Sequence, residues 1–215
     1  AAAREAARTG ASVVVLEAGR WVDPSDFPAP AFDAMALSYR AMGASVVIGA
    51  APMPYLQGKM VGGSSPINGA ICWRLPRDVY DEWTRADGAV ADAMPWSELE
   101  TATNELEARL NVRPTEAAVA GRKNELLARG AEALGLEHRP IRRNVRGCEG
   151  LGRCMQGCPK ARKQSVDLTL LCDAEASGAV IVSSVEVTAI ETEHGRAIGV
   201  AGTSVGGARV RVRAD

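Results

Sequence analysis

Two clusters hold the residue types through which this sequence could do chemistry. Cys148, Cys154 and Cys158 fall within eleven residues, interleaved with Gly147, Gly150, Gly152 and Gly157 and followed by Pro159. The ending Cys-x3-Cys-Pro is that of a bacterial ferredoxin run, where such thiolates ligate iron. The glycines free the backbone to aim three thiolates at one point. That suits a 3Fe-4S cluster and leaves zinc short of its usual four ligands. A disulfide or buried thiols satisfy the same spacing. With five cysteines in all, no closed disulfide framework uses every one.

The second cluster runs Gly58-Lys-Met-Val-Gly62-Gly63-Ser64-Ser65-Pro66-Ile67-Asn68-Gly69, four glycines among twelve residues. Glycine lets a ligand approach the main chain closely. Ser64 can donate to phosphate oxygens, and Asn68 can fix the edge of a ring. An ordinary glycine turn capped by Ser64 or Ser65 is the plainer reading. Upstream, Glu17 closes the apolar run Ser12-Val-Val-Val-Leu16. In a dinucleotide-binding βαβ unit an acid at a strand's carboxyl end bonds ribose hydroxyls, about 20 residues after a glycine-rich turn. Counting back from Glu17 passes Ala1, so such a turn would lie outside the sequence. Glu17 as a mere polar strand end fits equally well.

Regular elements must position these groups. Residues 1–9 are Ala-rich and stop at Gly10, which predicts a helix. The continuous, non-alternating run before Glu17 predicts a strand covered on both faces, as in a parallel sheet. Pro24, Pro28 and Pro30 make a loop. Candidate helices follow at Ala31–Met42, Ile67–Trp73, Asp78–Thr84, Trp96–Leu110, Lys123–Leu134 and Ser165–Ala176. Val180–Val182, Glu186–Glu191, Ala197–Ala201 and Ala208–Arg213 read as strands, the last three joined at His194-Gly195 and Gly206-Gly207 into a β-meander. The fold class is α/β: a partial Rossmann-like domain of parallel sheet plus meander, with a helical insertion.

Composition bounds the function. The 215 residues are 47% apolar and 24% charged, ample for a buried core. Lys and Arg number 25 against 26 Asp and Glu, a net charge of -1. That gives no bulk electrostatic case for nucleic acid or an anionic membrane. No apolar run reaches the ~18–20 residues that span a bilayer. The chain opens Ala1-Ala2-Ala3-Arg4 without Met, so the natural amino terminus is expected upstream. The compartment stays open, the cytoplasm slightly ahead.

The run GKMVGGSSPINGAICWR (Gly58–Arg74), with Val-Leu-Glu17-Ala-Gly19 upstream, resembles the first signature of the glucose-methanol-choline (GMC) flavoprotein oxidoreductases. The similarity continues through the Asn144 region, the Cys-Pro segment, Lys163-Gln-Ser165 and the Val187–Val200 meander. The resemblance implies a two-domain protein holding extended FAD. Glu17 and Ala18 would meet the adenosine ribose, and Val187 the adenine edge through its backbone. Gly58, Gly63 and Ser64 would line the pyrophosphate and ribityl path, while Asn68, Gly69 and Ile71 would approach the flavin. Some members bond the flavin covalently through a His beside the motif's Asn; Ile67 stands there, which implies non-covalent FAD.

On this reading residues 1–75 are a partial FAD-binding domain, 76–145 a mostly helical insertion, and 146–215 the cysteine segment, a helix and the meander returning to the FAD-binding domain. The implied reaction is oxidation of a small-molecule alcohol, the hydride passing to flavin. The cysteine spacing resembles that of cluster-bearing family members, with Cys148, Cys154 and Cys158 as ligands and an electron-acceptor protein as a further partner. The family's base is a His from a later segment, and neither His138 nor His194 fits it. The chain alone is therefore expected to be inactive and poor at holding FAD. Two other functions fit less of the sequence: an iron–sulfur electron-transfer module, and a non-redox lyase of the same family.

Overall fold

A computed structural model describes residues 1–214. In chain order the regular elements begin with α1 (Ala2–Arg8), β1 (Val14–Leu16), α2 (Ala31–Ser38), β2 (Val46–Val47) and β3 (Met53–Pro54). Next come α3 (Arg77–Ala86), α4 (Ala89–Ala93), α5 (Trp96–Arg109), β4 (Val112–Pro114), α6 (Ala117–Ala120), α7 (Arg122–Ala133) and β5 (Arg142–Asn144). The series ends with α8 (Leu170–Ala176), β6 (Val180–Val182), β7 (Val185–Glu193), β8 (Arg196–Ser204) and β9 (Arg209–Arg213). Two compact units result. The first comprises Ala1–Gly69, Arg153–Ala161 and the described chain from Ser165 onward; the second comprises Ala70–Gly152 and Arg162–Gln164.

In the first unit β1 pairs in parallel with β6, Val14 opposite Val180 and Leu16 opposite Val182. The alanines of α1 let it approach α8 closely: Ala7, Ala174 and Ala179 form a buried cluster against which Ala3 and Val13 pack. One expectation fails here. Val14 and Val180, partners across the ladder, are 45% and 54% exposed, so the strand is not covered on both faces. The apolar run matched a parallel strand, yet the described elements supply packing on the Val13 side alone.

The meander forms as its turns predict. β7, β8 and β9 are antiparallel in sequential order, and His194 and Gly195 both take positive φ at the two-residue hairpin between Glu193 and Arg196. Another core gathers Val22, Phe27, Tyr39, Met60 and Ile67, with Met35 and Leu37 against it. The predicted helix at Ile67–Trp73 does not form. A short 3-10 turn covers Ser65–Ile67, Asn68 is extended, Ala70 has a φ of 59°, and Ile71 makes a β-bridge to Arg143. Proline at the second position of that turn and the glycine that follows Asn68 favour a bend over helix propagation. The hairpin of β2 and β3 and the β4–β5 pair went unread, because two- and three-residue strands leave no periodicity.

The second unit is mostly helical. Tyr80 is buried edge-on to Trp96 at 5.1 Å and donates its hydroxyl to the Met94 carbonyl at 3.0 Å. On α5, Glu107 receives Arg74 Nη2 at 2.5 Å and Arg142 Nη2 at 2.7 Å on the same oxygen. No helix among the described residues is long and apolar enough to cross a membrane.

Candidate functional site

The turn after β1 is built by its own acid. Glu17 continues the ladder, its N–H donating to the Val182 carbonyl at 2.9 Å and its carbonyl accepting from the Val185 N–H at 2.9 Å. Its carboxylate bends back, Oε1 accepting the Gly19 N–H at 2.7 Å. Ala18 is half-buried within this turn. Gly19 is buried, and a Cβ there would lie 2.1 Å from the Lys59 carbonyl group. Only glycine permits this close approach of two backbones. Beside it Arg20 bridges in parallel to Met60, and the Val61 N–H donates to the Arg20 carbonyl at 3.0 Å.

The glycine-serine loop therefore starts against the Glu17 turn. Gly58 sits so close to Gly63 that a Cβ would be 2.3 Å from the Gly63 carbonyl oxygen. Its N–H donates to Ser64 Oγ at 2.9 Å, which ties the loop's two limbs together. Ser65 serves structure: its hydroxyl donates to the Gly62 carbonyl at 2.8 Å and accepts the Val166 N–H at 2.9 Å. Both serines thus cap the loop as the plainer reading held, but Ser64 is exposed while doing so. Gly63 has a φ of 59° and nothing within 4 Å of where a Cβ would stand. A Cβ there would project into open space, so the main chain is accessible on that side.

Asn68 is exposed at the end of the 3-10 turn, with Gly69 half-buried after it. Ile67, by contrast, is 2% exposed and buried among Val22, Phe27, Tyr39 and Met60. Val187 lies on β7 two residues past Val185, the residue bonded to Glu17, and is 39% exposed at a bulge in its ladder with β8. The first unit thus contains Glu17, Ala18, Gly58, Gly63, Ser64, Asn68, Gly69 and Val187, and its contacts join the Glu17 turn to the Gly58–Ser64 loop and to the start of β7. Ile71 belongs to the second unit and is 49% exposed.

Sequence reasoning missed three supports of this site. Tyr39 donates its hydroxyl to the carbonyls of Ile67 and Met155, at 3.1 and 2.6 Å, and burial pushes its pKa up. Arg153 Nη2 donates to the Phe27 and Pro28 carbonyls at 2.9 and 2.6 Å. Glu186, next to Val187, pairs with Lys59 at 3.4 Å and Arg40 at 3.6 Å. All three join segments far apart in the chain, and no local pattern announces them.

The cysteine expectation finds no support. Among the described residues no three His, Cys, Asp or Glu side chains form a group that could hold a metal ion, and none of the five cysteines is in a disulfide. Cys148 belongs to the second unit, Cys154 and Cys158 to the first. Cys154 and Cys158 lie in a segment used in packing. Cys154 opens a 3-10 turn through Gln156 whose Met155 carbonyl is held by Tyr39, and Gly157 lies against the Phe27 ring, where a Cβ would come within 2.2 Å. The 3Fe-4S cluster has no support here. His138 pairs with Glu132 at 3.3 Å in the second unit, and His194 is exposed in the hairpin turn.

Residues 34–215 match the family model described as GMC oxidoreductase. An uncharacterized GMC-type oxidoreductase of Mycobacterium tuberculosis, Rv0492c, is 36% identical over 214 residues, covering 99% of this chain and 34% of the relative. Long-chain-alcohol oxidase FAO4B of Arabidopsis thaliana is 31% identical over 216 residues, covering 96% of this chain and 28% of the relative. The chain spans about a third of the length of the curated relatives it matches. A solved FAD-dependent oxidoreductase from Chaetomium thermophilum superposes with a TM-score of 0.64 over 99% of this chain and 42% of its own, at 18% identity, a likeness of fold. With the signature loop set against the acidic strand end and the family match reaching over most of the sequence, the chain belongs to the GMC oxidoreductase family.

Proposed function

We propose that this chain holds FAD, without a covalent bond, in an enzyme that oxidises the CH–OH group of a small-molecule alcohol. The observation that carries the reading is the backbone packing of Gly19 on Lys59 and Met60, which sets the Glu17 turn beside the Gly58–Ser64 loop. The residues fit the cofactor. Glu17 uses Oε1 on its own turn, and Oε2 is then the acceptor for a ribose hydroxyl. Ser64 accepts from Gly58, so its O–H is a donor for phosphate or ribityl oxygens, next to the open side of Gly63. Val187 would meet the adenine edge through its backbone. Asn68 and Gly69 would face the flavin.

Bound FAD would supply the hydride acceptor. This chain's residues bind and orient it, and the base that takes the hydroxyl proton would come from outside residues 1–215. Burial of Ile67, the position from which some relatives bond flavin, supports non-covalent binding. The naming of FAO4B as a long-chain-alcohol oxidase supports an alcohol as substrate class.

The test is denaturation of the yellow, flavin-loaded gene product that carries this chain. Acid precipitation should release FAD into the supernatant, and Glu17→Ala should weaken FAD binding about tenfold, the worth of a charge-assisted hydrogen bond. A pellet that keeps the flavin colour contradicts non-covalent binding. A gene product that takes up no FAD contradicts the function.

A further inference from the structure

Tyr39 sits at the junction of three segments of the first unit. Its main chain bridges to Gly58 at the start of the glycine-serine loop. Its hydroxyl reaches the Ile67 carbonyl at the loop's end and the Met155 carbonyl in the cysteine turn. The residue is 8% exposed and its ring packs in the core with Val22, Phe27, Met60 and Ile67. A phenol has one hydrogen to donate, so the two carbonyls share it. Desolvation keeps that hydrogen in place by raising the phenol's pKa.

We infer that Tyr39 is a positioning residue that fixes the Ile67–Asn68 peptide and thereby aims Asn68 at the flavin. The inference rests on the FAD reading given above and goes beyond it by naming what sets the Asn68 geometry. A trans peptide is a rigid plane in which C=O and N–H point opposite ways, and no peptide among the described residues is cis. Holding the Ile67 carbonyl on the buried phenol turns the Asn68 N–H to the other side of that plane. The chain changes direction at this peptide, from the 3-10 turn ending at Ile67 to the extended Asn68 with φ −90° and ψ 177°. Ile67 is therefore anchored twice, by its side chain in the core and by its carbonyl, while Asn68 is presented outward. An amide placed beside a flavin ring by such an anchor stabilises one charge distribution of the ring over another, so its placement sets spectrum and potential.

The experiment is Tyr39→Phe in the flavin-loaded protein, which keeps the ring's packing and deletes the hydroxyl. FAD should bind about tenfold more weakly, the usual cost of leaving buried acceptors unpaired. At saturating FAD the flavin absorption bands and reduction potential should shift. Phe27→Leu loosens the same core without touching the hydroxyl; it should lower the melting temperature and leave the saturated spectrum and potential unchanged. A Tyr39→Phe protein that melts lower but matches wild type in saturated spectrum and potential overturns the inference. Wild-type protein that takes up no FAD overturns the cofactor reading beneath it, a distinguishable result.

Discussion

Two glycines of the same loop separate fold from function at the level of single residues. A methyl group at Gly58 would stand 2.3 Å from the Gly63 carbonyl oxygen, a contact that only backbone movement relieves. Gly58→Ala should therefore destabilise the protein by roughly 3 kcal/mol, at the upper end of overpacking costs, and thermal melting of the apoprotein measures it. At Gly63 the methyl meets open space and the cost is that of a left-handed alanine, about 1 kcal/mol. Its effect belongs on the ligand side: Gly63→Ala should melt nearly normally yet lose at least tenfold in FAD affinity, because the methyl occupies space through which the cofactor would approach the main chain. Equal loss of stability in the two variants would mean that Gly63 serves only the turn. The motif's residue types were legible in sequence because glycine and serine are the means of close backbone approach. The supporting contacts of Tyr39 and Arg153 were not, since their partners are backbone carbonyls, which every residue possesses.

Helix α5 is fastened through one carboxylate, and its stability should follow that group. The Glu107 side chain is 13% exposed. Hydrogen bonds from Arg74 and then Arg142 hold its pKa down to about 2, from an ordinary 4.5. The folded state thus binds a proton less readily than the unfolded chain. Its contribution is complete above about pH 4.5 and drains away as pH falls toward 2. Glu107→Gln should destabilise the protein by roughly 1–3 kcal/mol at neutral pH and flatten this acid limb; urea melts across that range measure both. An unchanged acid limb would show that other carboxylates set it. The β2–β3 hairpin behaves differently. No charged residue occurs from Ala41 to Gly58, and Val46, Val47, Ile48 and Met53 are exposed, Ile48 by 91%. Such a patch promotes association. Light scattering of the chain should rise with concentration, and Ile48→Lys should suppress it with little change in melting, within about 0.5 kcal/mol; scattering unaffected by the lysine would place the contact elsewhere.

Across the whole chain, what sequence disclosed depended on range. Alanine content, the apolar run before Glu17 and the paired turn residues His194-Gly195 specify α1, β1 and the meander from neighbours alone, and these formed. The parallel partner of β1 was readable as a class, while its coverage was not, because burial is decided by elements remote in sequence. The Ile67–Trp73 helix failed for the same reason, as Ile67 is drawn into the core and Ile71 pairs with Arg143. Cysteine spacing alone leaves cluster, disulfide and buried thiols open, and the three thiols are divided between the two units. Convergence of the Glu17 turn with the Gly58–Ser64 loop was the long-range inference that the fold supports, through Gly19 on Lys59 and Arg20 on Met60.

Calorimetric titration of FAD into the apo form of the gene product, comparing wild type with Gly63→Val and Glu17→Ala, tests that convergence most directly. The account predicts saturation at a single equivalent in wild type, no measurable binding when valine blocks the open side of Gly63, and weakened binding when the ribose acceptor is removed. Wild-type affinity in both variants, or a wild-type protein that takes up no FAD, would contradict it.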